Sequence, residues 1–184
     1  MAKRVLVPIA DGTEEIEAVC IIDTLRRAGA EVTVASVGDI QVTASRGVKI
    51  VADAQIGDCV EQTYDCIVLP GGMPGAEHLR DSAPLIDMLK KQKQAGRLHG
   101  AICATPAVAL QPHGLLDNIR ATCYPTCQNE LDPARVSNDR VVVDANCVTS
   151  QGPATAIEFA LKLVEMLFDA VKAKEVGEAM LVAV

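Results

Sequence analysis

Residues 3–37 read KRVLVPIADGTEEIEAVCIIDTLRRAGAEVTVASV, and the fold turns on them. Lys3–Ala10 is a short apolar run, the pattern of a strand buried on both faces of a parallel sheet. Asp11-Gly12-Thr13 breaks it. From about Glu14 to Ala28 the spacing becomes helical, with Ile16, Val19, Ile22 and Leu25 sharing one apolar face. Glu14, Glu15 and Glu17 crowd the start of this helix and Arg26-Arg27 its end, the charge order that the helix dipole favours. Gly29 is the stop signal, and Glu31–Val37, rich in Val and Thr, is the next strand. A strand, a helix and a strand at this spacing form a βαβ unit, which requires a parallel sheet with helices on its faces.

The rest of the chain repeats the alternation. Residues 40–52 alternate enough for a small hairpin outside the main sheet. Asp65–Leu69 and Leu98–Ile102 are further core strands, and Pro84–Ala95 and Thr105–Leu110 are helices. Arg140–Val143 and Val148–Thr149 read as late strands, Ala154–Phe168 as a strong helix and Lys172–Leu181 as a final one. No linker, repeat or low-complexity segment divides the 184 residues, so residues 1–184 are expected to form a single doubly wound α/β domain. Aromatics are few (Tyr64, Tyr124, Phe159, Phe168), which leaves Val, Ile, Leu and Ala to build the core. The net charge of −7 and the lack of stacking platforms argue against nucleic acid as the main partner, and no run approaches a membrane span. Seven cysteines, several in apolar runs, are an odd set that does not read as a disulfide scaffold. A reducing, cytoplasmic setting is the expectation.

Ligands of open α/β sheets bind beyond the carboxyl ends of the strands. Three turns leave such ends. In Gly100-Ala101-Ile102-Cys103-Ala104-Thr105-Pro106 a strand runs into a helix with Cys103 at the joint, a nucleophile elbow in geometry though not in letters. Amides and dipole at a helix start favour a thiolate, so the Cys103 pKa is expected to fall. The plain alternative is a buried structural cysteine. In Pro70-Gly71-Gly72-Met73-Pro74-Gly75 the two glycines allow close backbone approach and offer free amides, which beside a nucleophile make an oxyanion hole and otherwise only a tight turn. The Lys-Ser/Thr pair of a phosphate loop is missing. In the turn after Ala10, two of the three glutamates are expected to be solvated, while Glu17 points along the sheet top. A carboxyl beside a thiolate stays protonated and hydrogen-bonds the sulfur. Of the histidines, His78 is read as capping a helix or facing solvent, His99 as lying in a core strand and His113 in a loop. Cys123 and Cys127 have no second pair at zinc-ligand spacing, so neither a metal nor another cofactor is expected.

Taken in order, Ala10-Asp11-Gly12-Thr13-Glu14-Glu15-Ile16-Glu17, Ser45-Arg46-Gly47, Val68-Leu69-Pro70-Gly71-Gly72, Ala101-Ile102-Cys103-Ala104 and Thr149-Ser150-Gln151-Gly152-Pro153 resemble the ThiJ/PfpI superfamily, and its DJ-one branch in particular. The resemblance covers nearly the whole chain. It implies a flavodoxin-like sandwich of the class I glutamine amidotransferase-like type, and a homodimer. It places the oxidation-sensitive nucleophile at Cys103 and the protonated acid at Glu17. It makes the amides of Gly72 and Ala104 the oxyanion donors, next to Gly71. Arg46, Gly152 and Pro153 would border the pocket. Members of the branch are reported as glutathione-independent glyoxalases, deglycases, redox sensors and chaperones. Two departures matter. Ala104 stands where the peptidase branch carries His, which argues against proteolysis. Tyr124 stands where some members of the DJ-one branch carry His, and a neutral phenol is a poor base near pH 7. The leading expectation is a cofactor-free enzyme acting on small reactive carbonyls, namely 2-oxoaldehydes such as methylglyoxal. The alternative is a non-enzymatic redox sensor, or a redox-regulated chaperone, using the same cysteine.

Overall fold

In the computed structural model, which describes residues 2–182, the first βαβ unit is formed by β1 (Arg4–Ile9), α1 (Glu15–Arg27) and β2 (Glu31–Ser36). β1 and β2 pair in parallel from Arg4↔Glu31 to Ile9↔Ser36. Two three-residue strands, β3 (Gln41–Thr43) and β4 (Lys49–Val51), make the separate antiparallel hairpin. β5 (Ala54–Gln55), β6 (Cys66–Leu69), β7 (Leu98–Ile102), β8 (Val141–Asp144) and β9 (Cys147–Ser150) complete the main sheet, in the order β5-β2-β1-β6-β7-β9-β8. Within it only β8 runs antiparallel to its neighbour. The five central parallel strands thus have the 2-1-3-4-5 order of the flavodoxin-like fold.

Helices cover both faces. α1, α4 (Ala156–Leu167) and α5 (Ala170–Ala179) close one side over a core that includes Val5, Val7, Ile21, Leu25, Phe159 and Leu163. α2 (Gly75–Asp81) and α3 (Ala83–Gln94) close the other over Leu6, Ile67, Leu79, Leu89 and Leu110. The alternation along β1 produces this split: neighbouring residues such as Val5 and Leu6 enter opposite cores.

Two local expectations change. The apolar face expected for α1 is buried only at its C-terminal half, where Leu25 is buried and Ile22 half-buried. Ala18, Ile21, Thr24 and Leu25 are buried, while Ile16 and Val19 are 53% and 52% exposed. Glu15 and Glu17 take the inward positions of the first turn, and this rotates Ile16 and Val19 outward. The helix expected over Thr105–Leu110 is a widened, π-type turn from Pro106 to Leu110 that runs on into a 3₁₀ turn over Gln111–His113. α2, the short β5 and the 3₁₀ turns at Ile56–Cys59 and Pro125–Glu130 carry too few residues for periodicity to reveal them.

Candidate active site

The carboxyl ends of β1, β6, β7 and β9 converge on Cys103. Cys103 follows β7 with φ of 65°, the left-handed region, where a side chain crowds its own backbone. Two hydrogen bonds hold it there. Its N–H donates to the Ser150 carbonyl (3.0 Å), and its carbonyl accepts the Tyr124 N–H (2.7 Å). The elbow predicted from sequence is therefore present, clamped by β9 on one side and the Tyr124 segment on the other. The thiol is half-buried and free.

Gly71 brings the acid to the sulfur. A Cβ built at Gly71 would overlap the Cβ of Cys103 and come within 2.6 Å of Glu17 Oε2. The bare glycine is thus the space between nucleophile and acid. Its N–H donates to Glu17 Oε2 (2.7 Å), and its carbonyl accepts the Glu14 N–H (2.8 Å). Thr105 Oγ1, on the elbow, donates to the Pro70 carbonyl (2.7 Å). Glue of this kind is invisible in sequence, because each bond joins residues tens of positions apart.

Glu17 is fully buried. Burial pushes its carboxyl up to about 7, against the hydrogen bond from the Gly71 amide and the nearby Cys103 thiol. Its Oε1 has no hydrogen-bond partner of ordinary geometry among the described residues, so the thiol lies beside this carboxyl without a well-formed bond to it. Burial and then the Glu17 charge push the Cys103 thiol up to about 12, while the amides of Gly72 and Ala104 pull it down. This corrects the expected fall. Burial disfavours the charged sulfur, and a buried carboxylate next door repels a thiolate. The pair titrates as a unit, since ionising either group makes ionising the other harder. Once Glu17 takes the proton its repulsion vanishes, and the two amides remain to face the sulfur.

The other two glutamates are also buried, contrary to expectation. Ser45 Oγ lies 2.7 Å from a Glu14 carboxyl oxygen and 2.9 Å from one of Glu15, its single O–H shared between them, and the Arg46 N–H donates to Glu15 (3.0 Å). Burial opposes ionisation of Glu15, but hydrogen bonds from its own amide, Ser45, Arg46 and Val48 hold its carboxyl below the usual range. These bonds dock the β3–β4 hairpin on α1. Arg46 itself is exposed on that hairpin. Gly152 is buried against the Tyr124 ring, and Pro153 is exposed beside it. The structure thus gathers Cys103, Glu17, Gly71, Gly72, Ala104, Tyr124 and Gly152, and leaves Arg46 and Pro153 at the surface. His78 faces solvent with Nδ1 3.0 Å from the Asp11 carbonyl oxygen, and His113 Nε2 lies 3.0 Å from that of Arg80.

A flavodoxin-like sheet with a cysteine elbow and a buried acid defines a class of cysteine-centred α/β proteins. Residues 3–166 match the DJ-1/PfpI family. The chain belongs to that family. A solved structure described as "Toxoplasma gondii DJ-1, oxidized" is 54% identical and superposes with a TM-score of 0.98, over 100% of both chains. "Protein DJ-1 homolog B" of Arabidopsis thaliana is 48% identical over 97% of this chain, which spans only 41% of that longer protein. "Glutathione-independent glyoxalase DJR-1.2" of Caenorhabditis elegans is 39% identical over 89% of this chain and 87% of its own. No helix among the described residues is long and apolar enough to cross a membrane.

Proposed function

We propose that this protein is a cofactor-independent glyoxalase or deglycase acting on 2-oxoaldehydes such as methylglyoxal. The observation that carries the reading is the placement of Glu17 and Cys103 on either side of a side-chain-free Gly71. Likeness to a relative named as a glutathione-independent glyoxalase supports it.

The Cys103 thiol adds to the aldehyde carbon as its proton passes to the Glu17 carboxylate, which a pKa of about 7 keeps available near neutrality. The Gly72 and Ala104 amides stabilise the oxyanion, which then recovers the proton from Glu17 to give a hemithioacetal. Glu17 next removes the hydrogen from the former aldehyde carbon. The resulting enediol is reprotonated by Glu17 at the neighbouring carbon, which leaves a 2-hydroxy thioester on sulfur. Water cleaves the thioester, giving a 2-hydroxy acid and the free thiol. Methylglyoxal plus water becomes lactate, with no net oxidation. The test is lactate formation by purified, glutathione-free protein, with Cys103→Ser and Glu17→Gln alongside. Multiple turnovers lost in both variants are expected. Full activity in Cys103→Ser would end the reading.

A second reading is a redox sensor at the same thiol, favoured by the relative solved in an oxidised form. It predicts that mild peroxide adds two oxygens at Cys103 ahead of the other cysteines, in a protein without turnover. The assembly we propose is a homodimer. Ile16 and Val19 on α1, with Val48 and Val51 on or beside the hairpin docked to it, are each at least half exposed and form a surface suited to a second copy. We place the protein in a reducing compartment such as the cytoplasm, in keeping with seven free cysteines.

A further inference from the structure

Four residues close a circuit through the main chain of Cys103. The Cys103 N–H donates to the Ser150 carbonyl, Ser150 leads through Gln151 to Gly152, Gly152 lies against the Tyr124 ring, and the Tyr124 N–H returns to the Cys103 carbonyl. Gly152 has φ 165° and ψ −168°, an extended backbone that any residue adopts. Its role is one of contact: a Cβ at 152 would stand 3.3 Å from Tyr124 Cδ2 and 3.6 Å from Cε2, so the ring edge lies close against the main chain there. That edge of the ring is seated on the main chain, while Tyr124 as a whole stays 42% exposed. The exposed Pro153 follows Gly152 directly.

We infer that Tyr124 is a specificity wall beside Cys103, and that the carbonyl compounds best accepted are 2-oxoaldehydes bearing an aryl group. The inference rests on the glyoxalase reading above and narrows it. The methyl of methylglyoxal has almost no surface to lay on the wall. A phenyl group bonded to the same dicarbonyl can stack on the free part of the Tyr124 ring, offset or edge to face. The phenol hydroxyl has no part in this. The wall acts through the ring, so phenylalanine serves as well as tyrosine.

The experiment uses the full chain as wild type, Tyr124→Ala and Tyr124→Phe. The ratio of kcat/KM for phenylglyoxal to that for methylglyoxal is measured for each. In parallel, peptide mass spectrometry follows alkylation of Cys103 by phenacyl bromide and by bromoacetone. In that reaction sulfur bonds the methylene carbon, bromide leaves and the thiol proton is released, with no turnover required. Tyr124→Ala is expected to lower the kcat/KM ratio roughly tenfold, the scale of one lost aromatic contact. The phenacyl-to-bromoacetone rate ratio should fall with it, and Tyr124→Phe should hold both ratios within about twofold of wild type. Unchanged ratios in Tyr124→Ala overturn the wall, as does a Tyr124→Phe variant that falls as far as the alanine. If the reduced wild type turns over neither aldehyde, the glyoxalase reading fails by itself. The alkylation ratio then decides the wall, a fall in Tyr124→Ala supporting it and no change refuting it.

Discussion

The two ends of β7 hold buried polar groups under opposite conditions. Past its carboxyl end, Cys103 and Glu17 sit among loop backbone that still has amides to give: Gly71, Gly72 and Ala104 all direct N–H groups at the pair. Near its other end, His99 is inside the strand, buried, and neither ring nitrogen has a hydrogen-bond partner among the described residues. Its neighbours across the sheet, Ile67 and Cys147, already spend their main-chain groups on the ladder. Burial pushes the His99 pKa down and Lys93 adds to this, while the backbone of Arg97 and Leu115 pulls the other way without reversing it. A buried polar side chain becomes a reagent where the chain turns and frees its amides. Inside a strand the same burial leaves only a cost.

The contrast can be broken in four places. The largest effect belongs to Cys103→Ser, which should lower turnover of methylglyoxal by about 10³-fold or more, since no other group replaces the sulfur. Comparable turnover in the two proteins would move the chemistry elsewhere. Glu17→Gln should cost about 10²–10⁴-fold in kcat, the usual worth of a positioned acid–base group, and should stabilise the fold. The sign follows from the raised pKa. The folded Glu17 keeps its proton up to about 7, the unfolded one loses it near 4.5, so stability drains away as pH climbs through that window. The variant escapes this loss, on the order of 3 kcal/mol above pH 7, and the gain vanishes below pH 4.5. Melting temperatures taken from pH 4 to 8 check it, and a constant difference across that range would contradict it.

Gly71→Ala pushes a methyl into the gap between Cys103 and Glu17. It should destabilise by about 1–3 kcal/mol and separate the pair. Activity surviving with unfolding midpoints unchanged would mean that the turn yields easily. The smallest effect lies at the far end of the strand. His99 stays neutral when folded and is protonated when unfolded below about 6.5, so its contribution is present above that pH and lost as pH falls through the lower folded value. His99→Leu should therefore flatten the decline of melting temperature between pH 7 and 5. Parallel declines in the two proteins would show that the acid sensitivity arises elsewhere.

Cys103 and Glu17 were legible because a strand end, a helix start and a glycine pair are local patterns. The sheet was legible for the same reason, through the period of Lys3–Val37. Three things were not. The burial of Glu14 and Glu15 depends on Ser45 and Arg46 folding over them, a contact some 31 residues away in sequence that no spacing announces. The outward turn of Ile16 and Val19 follows from that docking: the hairpin and the Gly71 turn claim the inward face, and the apolar pair goes outside. The rise in the thiol pKa was not legible because it comes from burial and from the Glu17 charge, which the fold brings to the sulfur from far along the chain.

The first turns of α1 also have a mechanical meaning. Glu14 and Glu17 grip Gly71 from its two polar ends, and Ile16 stands between them on the outer surface of the same rigid rod. One turn of helix therefore separates the outer face at Ile16 from the acid beside the sulfur. Ala18 and Ile21, buried in the core, anchor that turn from within.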